Sequence, residues 1–232
     1  MFVEHGILIG DVHKNCRHGA LHKAWGHVFT NHLRGEYVEF GVYHGGSFLE
    51  SYAQFKKFKS WLSVQTKHEE EWRRKVASSY VDYRPEFIGL DSFEGMPEND
   101  EDNHTFSKGT FLSSYDSVES KCRSSFSDGL AGYQLIKGYF ENVDPSIFKN
   151  KIAILNIDSD LYESCAVALK LAKPQMQQGM VLLMDDYNAY NASNDQGERR
   201  ALKEFSTETG YVFEKWFSYH YSGQAFLLTT KL

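Results

Sequence analysis

The sequence predicts an α/β protein with a mostly parallel, seven-stranded sheet, helices on both faces of that sheet, and an antiparallel hairpin at its end. Two observations carry this prediction. Short apolar runs alternate with longer helix-like segments along most of the 232 residues, which is typical of open parallel sheets covered by helices. The last two apolar runs are separated by only the short polar turn 218–224. A turn of that length cannot hold a parallel crossover, so this pair is predicted to be antiparallel.

Apolar patterns and their stop signals define the individual elements. Seven strands are predicted, at residues 37–40, 87–90, 133–136, 152–157, 181–184, 211–217 and 225–229. The helices predicted between them include residues 47–59, 68–79, 113–126, 162–178 and 197–209. The fourth of these helices is predicted to stop at Gly179, because glycine commonly follows the last turn of a helix.

Length and composition favour one domain over residues 1–232, since no repeat, low-complexity tract or Pro-rich linker divides the chain. Three regions stand apart from the alternating pattern. Residues 1–30 are expected to form an N-terminal cap or lid, residues 66–79 a helical insertion, and residues 97–109 a loop on the substrate side. Loops at the carboxyl ends of parallel strands commonly shape the ligand pocket.

Composition excludes several classes of protein. A net charge of -6 with 24% charged residues gives no field that would favour the backbone of nucleic acid. No apolar run approaches the length of a membrane span, and the first residues lack the pattern of a secretory signal. The three cysteines are widely spaced, so neither a disulfide framework nor a Cys-x-x-Cys pair is available. A cytoplasmic protein is expected.

A glycine-rich turn follows the first predicted strand directly. It runs from Glu39 to Ser47 and contains Gly41, Gly45 and Gly46. Glycines let the backbone turn sharply and let a ligand approach the main chain, with a helix N-terminus just beyond. The turn has neither the Lys-Ser/Thr of a phosphate-binding P-loop nor the spacing of a dinucleotide fingerprint. It favours another nucleotide-type cofactor, and Glu39 suits one that bears positive charge; the alternative is a turn without a ligand.

Asp91 ends the second predicted strand, beside the glycine-rich turn, and Ser92 follows it. A carboxylate at this point can accept both hydroxyls of a ribose. Its alternative role is to cap the turn that follows. The separation from Glu39 exceeds the usual distance of about 20 residues, because the segment 66–79 is inserted between them.

Two acidic clusters each come directly after an apolar strand. Asp158-Ser159-Asp160 follows the fourth predicted strand, and Asp185-Asp186 follows the fifth. A strand–helix–strand unit of this length makes two parallel strands, so both clusters are expected at one edge of the sheet. Carboxylates gathered at one point repel each other, and the usual remedies are a shared proton or a bound cation. The sequence therefore predicts a site for a hard divalent cation, although Asp160 alone could serve as a helix cap.

Five segments resemble, in order, the successive blocks of the macrocin O-methyltransferase family, also called TylF-type. The most specific element is the pairing of Asp-Ser-Asp-Leu-Tyr-Glu-Ser with Asp-Asp-Tyr. The segments are residues 39–47, 91–97, 136–140, 157–164 and 179–187. Members of this family are metal-dependent enzymes that use S-adenosylmethionine to methylate sugar hydroxyls on natural products. The resemblance therefore implies a Rossmann-like class I methyltransferase fold.

The resemblance also implies roles for individual residues. The positions that match magnesium ligands are Asp158, Asp185 and Asp186. Asp160 matches the proposed general base. The cofactor blocks contain Glu39, Gly41, Gly45, Gly46, Ser47, Asp91, Ser92 and Gly138.

The expected function is methyl transfer from S-adenosylmethionine to a hydroxyl of a sugar or glycosylated small molecule, assisted by Mg²⁺, Mn²⁺ or Ca²⁺. Such a cation lowers the pKa of the hydroxyl, and an adjacent carboxylate takes the proton. Two alternatives stay open: O-methylation of a catechol-type aromatic diol, and a non-catalytic sugar- or nucleotide-binding protein on the same scaffold. The expected partner is a small molecule rather than nucleic acid or a membrane, and a homo-oligomer is left open.

Overall fold

The computed structural model describes residues 3–4, 7–101 and 104–230, with side chains from Arg17 onwards except that of His104. The strands are β1 (Val3–Glu4), β2 (Ile7–Leu8), β3 (Glu36–Phe40), β4 (Glu86–Asp91), β5 (Gly132–Lys137), β6 (Ile152–Ile157), β7 (Val181–Met184), β8 (Val212–Tyr219) and β9 (Gly223–Thr230). The α-helices are α1 (Ile9–Thr30), α2 (Gly46–Gln65), α3 (Glu71–Ser79), α4 (Tyr115–Ser125), α5 (Tyr162–Ala172) and α6 (Gly197–Thr209).

Seven of the strands form one sheet, in the order β5-β4-β3-β6-β7-β9-β8. The pairs between β5 and β7 are all parallel, whereas β9 runs antiparallel to both β7 and β8. This confirms the predicted fold class, including the terminal hairpin. The order of strands reverses between β3 and β6, and in open α/β sheets the crevice at such a point is where ligands bind.

The two faces of the sheet are covered by different helices. Along β3, Tyr37 packs into a core with Trp25 of α1 and Phe55 of α2, whereas the next residue, Val38, packs into a second core with Leu169 of α5. Successive residues of a strand point to opposite faces, so a strand buried on both sides must be apolar nearly throughout. That is why the central strands appear in the sequence as continuous apolar runs.

Helix α1 is the largest difference from the sequence prediction, which assigned no helix to residues 1–30. Its glycines and histidines give it no clear apolar stripe. A glycine at position 26 lets α1 pack closely on α2, since a Cβ there would lie 3.3 Å from the ring of Phe58. The predicted cap or lid therefore corresponds, within the described residues, mainly to a helix packed on α2.

Two other boundaries differ for local reasons. The helix predicted over 162–178 ends at Ala172 and continues as the 3₁₀ turn Lys173–Gln175, because Pro174 lacks a backbone N–H and cannot sit in a helix interior. The predicted insertion 66–79 contains the shorter helix α3, which packs against α2.

Among the described residues, no helix combines the length and the apolar character that a membrane crossing needs.

Candidate active site

The two acidic clusters lie side by side at the carboxyl edge of the sheet. Ile157 ends β6 and pairs with Met184, which ends β7, so Asp158 and Asp185 leave adjacent parallel strands at the same level. The backbone there is tied together, since the Asp185 amide donates to the Ile157 carbonyl at 3.0 Å. The placement expected from the strand–helix–strand pattern is therefore observed.

Three carboxylates from these clusters converge. Asp158, Asp160 and Asp186 each offer one oxygen, and these oxygens all lie within 4.8 Å of one another. Asp160 is only 8% exposed and has a φ of 61°, a left-handed backbone that non-glycine residues adopt infrequently. Burial, together with the neighbouring Asp186 and Asp158, raises the pKa of Asp160 well above its usual range. Three acidic side chains are thus crowded together at this edge of the sheet.

Asp160 does not cap the following helix. Leu161 is the N-cap residue of α5 and makes no side-chain cap bond. The first amide of the helix, at Tyr162, instead donates to the carboxylate of Glu101. The capping alternative for Asp160 is therefore not seen in this structure.

Asp185 lies outside the group of three converging carboxylates and is paired with Arg17. The Arg17 guanidinium donates to both of its oxygens, and it also lies 3.0 Å from Asp158. Burial opposes the charge on Arg17, but Asp158 and Asp185 outweigh it and raise the pKa of the guanidinium. The structure thus groups Asp160, rather than Asp185, with Asp158 and Asp186.

The β8–β9 hairpin supplies two further residues, His220 and Ser222, that the sequence did not predict at the site. His220 Nδ1 accepts from the amides of Ser222 and Gly223, at 3.2 and 3.3 Å. A neutral ring that accepts at Nδ1 carries its proton at Nε2, and Nε2 lies 3.1 Å from Asp185 Oδ1. The Ser222 hydroxyl lies 2.9 Å from the Asp185 carbonyl and 3.3 Å from Asp186 Oδ1. In the sequence these residues read only as a polar turn.

The glycine-rich turn joins β3 to α2 and lies against the first acidic cluster. Gly41 has a φ of 90°, and a Cβ there would lie 1.8 Å from the Asp158 carbonyl oxygen. Gly45 is also left-handed, with a φ of 81°, and is the N-cap residue of α2. The backbone of Gly46, like that of the predicted cofactor residue Gly138, faces open space. The turn therefore brings bare backbone close to the carboxyl ends of β3 and β6.

Glu39 lies beneath this turn rather than on the cavity wall. It is fully buried, and its carboxylate accepts from the hydroxyl of Ser47 at 2.6 Å and from that of Tyr37. Burial raises the pKa of Glu39 to about 7 against the opposing effect of these hydrogen bonds. Glu39 and Ser47 thus connect the end of β3 to the start of α2.

Asp91 bridges two loops. Its Oδ2 accepts from the Tyr43 amide and its Oδ1 from the Phe93 amide, each at 2.7 Å. The capping role is therefore real, and it joins the glycine-rich turn to the loop after β4. Each carboxylate oxygen has a second lone pair, so Asp91 keeps the capacity to accept hydroxyls from a ligand.

A cavity of about 570 Å³ connects these parts. Its wall includes seven of the predicted site residues, namely Gly41, Asp91, Ser92, Asp158, Asp160, Asp185 and Asp186. The predicted cofactor residues Glu39, Gly45, Gly46, Ser47 and Gly138 are not among its lining residues. The loop predicted on the substrate side contributes Pro97, Thr105 and Phe106, and α1 contributes Arg17.

The donor chemistry of the site fits a divalent cation and a nucleoside-type cofactor. Crowded carboxylate oxygens are the ligands that Mg²⁺, Mn²⁺ and Ca²⁺ prefer. Burial, with Asp185 next in importance, raises the pKa of Asp186. On the cofactor side, Gly41 and the carboxylate of Asp91 line the same cavity, at the ends of β3 and β4, beside the point where the strand order reverses.

Comparison with known proteins identifies relatives of this chain. The family model for the macrocin-O-methyltransferases (TylF) matches residues 76–211, more than half of the chain. That range includes Asp91, both acidic clusters and α6, but not the glycine-rich turn. The chain is 28% identical over 175 residues, or 72% of its length, to the 8-demethyl-8-(2,3-dimethoxy-alpha-L-rhamnosyl)-tetracenomycin-C 4'-O-methyltransferase of Streptomyces olivaceus.

A second curated relative and a solved structure agree with this match. Demethyldecarbamoylnovobiocin O-methyltransferase of Streptomyces niveus is 24% identical over 168 residues, or 69% of this chain. The chain spans 58% and 55% of the lengths of these two relatives. The structure of the O-methyltransferase NovP superposes with a TM-score of 0.67 at 20% identity, covering 93% of this chain and 80% of that one. This likeness shows the fold.

Proposed function

Because the chain belongs to the macrocin-O-methyltransferase family, we propose that it transfers a methyl group from S-adenosylmethionine to a hydroxyl of a sugar or glycosylated small molecule, assisted by a divalent cation. The observation that carries this proposal is the convergence of Asp158, Asp160 and Asp186 on the wall of a cavity that Gly41 and Asp91 also line. A methyl donor, an acceptor hydroxyl and a proton acceptor can therefore meet in one chamber.

The cation would be held by Asp158 and Asp186. When bound, it lowers the pKa of a coordinated hydroxyl and fixes the direction of its oxygen. Asp185, the third ligand expected from the sequence, would complete the set once Arg17 withdraws, because the same guanidinium contacts both Asp158 and Asp185.

Asp160 would accept the proton of the acceptor hydroxyl. Methyl transfer from a sulfonium is a direct displacement, so the hydroxyl oxygen must be in line with the methyl group as it loses its proton. A general base works best when its pKa lies near the working pH. Asp160 lines the cavity, and one of its oxygens lies within 4.8 Å of oxygens of Asp158 and Asp186, which places it beside a hydroxyl held by a cation there.

The cofactor would lie between the glycine-rich turn and Asp91. Asp91 would accept the ribose hydroxyls on the lone pairs that the amides of Tyr43 and Phe93 leave free. Ser92 lines the same wall. Glu39 and Ser47 would act from beneath by holding the end of β3 against the start of α2.

Two observations bear on the acceptor. One relative is named for methylating a compound that carries a rhamnosyl group, which favours a sugar hydroxyl here. The cavity wall is also rich in aromatic side chains, which favour a flat ring system next to the reacting hydroxyl. These residues are Tyr43, Phe106, Phe111, Tyr139, Phe140 and Tyr221. The aromatic wall is also the reason to keep a catechol-type diol as the second candidate acceptor.

Two experiments test the proposal. Calorimetry with S-adenosylmethionine is expected to show binding, and no binding at millimolar concentration would refute the cofactor. Mass spectrometry of a panel containing glycosylated aromatic compounds and simple catechols, each with Mg²⁺, then tests the acceptor. We expect methylated glycosides, whereas methylation of catechols alone would select the second candidate.

A further inference from the structure

Glu198 is a buried carboxylate that the proposed reaction does not use. It lies in the first turn of α6 and is 0% exposed. One of its oxygens, Oε2, accepts from the Asp186 amide at 3.1 Å, and the other, Oε1, faces the Ser159 amide at 3.4 Å. A single side chain thus contacts the loop after β6 and the loop after β7.

These two amides belong to the acidic clusters themselves. Ser159 stands between Asp158 and Asp160, and the second amide is that of Asp186. The separation of the three converging carboxylates therefore depends on the spacing of the two loops, and Glu198 spans that spacing on the buried side.

A glutamate at position 198 is energetically unfavourable, because its carboxylate is buried. A buried carboxylate beside other carboxylates is unfavourable, and burial, with Asp186 next in importance, raises the pKa of Glu198 well above its usual range. Glutamine would avoid the charge. However, both backbone partners are N–H donors, and they meet different oxygens of Glu198. A carboxylate presents a separate acceptor oxygen to each amide, whereas one of the two terminal groups of glutamine is an NH₂ donor.

We infer that Glu198 is a positioning residue for the cation site, holding the loops after β6 and β7 at the separation at which Asp158, Asp160 and Asp186 converge. This inference rests on the proposed function, because it assumes that a divalent cation binds there. Groups that orient metal ligands in this way commonly change metal affinity by about 10- to 100-fold when they are replaced.

Two variants separate position from charge. Glu198→Gln keeps the length of the side chain but loses one acceptor and the charge. Glu198→Asp keeps the charge but is one methylene shorter, so it cannot reach both amides. Glu208→Gln is the matched control, since it makes the same chemical change at an exposed position of the same helix.

Calorimetric titration of each protein with Mn²⁺ gives the readout, together with S-adenosylmethionine titrations and hydrogen exchange of peptides containing Ser159 and Asp186. We expect Glu198→Gln and Glu198→Asp both to weaken Mn²⁺ binding about tenfold or more, to speed exchange in those peptides, and to leave cofactor binding within about twofold. Glu208→Gln should match the wild type.

The outcomes distinguish the two proposals. Wild-type Mn²⁺ affinity in Glu198→Gln would overturn the role of Glu198 while leaving the cation site intact. Normal affinity in Glu198→Asp with weak binding in Glu198→Gln would show that the charge acts rather than the reach, which also overturns positioning. No Mn²⁺ binding by the wild type at millimolar concentration would overturn the cation site and, with it, this inference.

Discussion

Glu39, the buried carboxylate beneath the glycine-rich turn, is expected to make the stability of the protein depend on pH. Its pKa is raised to about 7, mainly by burial, from an ordinary value of 4.5. A group whose pKa is higher in the folded than in the unfolded state binds its proton more tightly when folded. Its contribution to stability is therefore complete below pH 4.5 and is lost as the pH rises through about 7.

Glu39→Gln should remove this pH dependence. Each pKa unit corresponds to about 1.4 kcal/mol, so the wild type should lose up to about 3 kcal/mol relative to the variant between pH 5 and pH 8. Urea unfolding of both proteins across this range measures the difference. A difference in free energy of unfolding that is constant with pH would show that Glu39 titrates normally.

Arg17 is expected to stabilise the cation-free protein. It bridges Asp158 and Asp185 from α1 with a side chain that is 22% exposed. Arg17→Gln removes the guanidinium that Asp158 and Asp185 share and should cost about 2 kcal/mol in EDTA. Millimolar Mg²⁺ should restore most of that loss, because it supplies the missing charge.

Thermal unfolding with and without Mg²⁺ checks the Arg17 prediction. Lys75→Gln is the control, since Lys75 and Glu71 form an exposed pair on α3 with 74% and 67% exposed side chains. Exposed pairs of this kind contribute less than about 0.5 kcal/mol. Equal midpoints for the two variants in EDTA would contradict the role given to Arg17.

At the residue scale, the sequence identifies groups that stand at strand ends and misses those that arrive from elsewhere. Asp158 and Asp185 follow apolar runs, so their neighbourhood can be worked out from strand polarity alone. Arg17, Glu198 and His220 reach the same place from α1, α6 and the hairpin. Their local sequence does not identify them as site residues. Glu198, for example, is an acid in the first turn of a helix, where acids are common.

At the scale of elements, the turn between β3 and α2 is fixed by contact with its neighbour. Gly41 combines a φ of 90° with backbone contact to Asp158, so any side chain there would separate β3 from β6. We expect Gly41→Ala to cost more than about 3 kcal/mol. Gly19→Ala is a matched substitution in α1. No atom of the described residues lies within 4 Å of the new Cβ, and the change should stabilise the protein by about 0.5–1 kcal/mol.

The urea midpoints of the two glycine variants, compared with the wild type, decide this prediction. A Gly41→Ala protein as stable as the wild type would mean that the turn can move away from Asp158. In that case the variant's Mn²⁺ affinity would show whether Asp158 has moved, because Gly41 and Asp158 are in contact.

The elements differ in how far the sequence determines them. Strands β6 and β7 match the predicted bounds because both are buried on both faces, which leaves a sharp apolar run with polar ends. Helix α1 escaped prediction because its stability comes from packing. Trp25 and Phe29 lie in the core beside α2, whereas Gly19 and Gly26 lower the helix propensity of the segment.

For the whole molecule, alternation along the chain was enough to predict the sheet, its parallel part and the final hairpin. It could not give the order of the strands, which places the turn after β3 next to the first acidic cluster after β6. That neighbourhood is what unites the glycine-rich turn, Asp91 and the aspartates around one cavity. The central claim is that this cavity carries out cation-dependent methyl transfer.

One assay tests this claim most directly: mass spectrometry of methyl transfer from S-adenosylmethionine to a glycosylated aromatic acceptor, for the wild type and Asp186→Asn, in Mg²⁺ and in EDTA. We predict product only from the wild type in Mg²⁺, with a loss of about a hundredfold or more in the variant and in EDTA. Undiminished transfer in EDTA, or a wild-type rate in Asp186→Asn, would contradict the account.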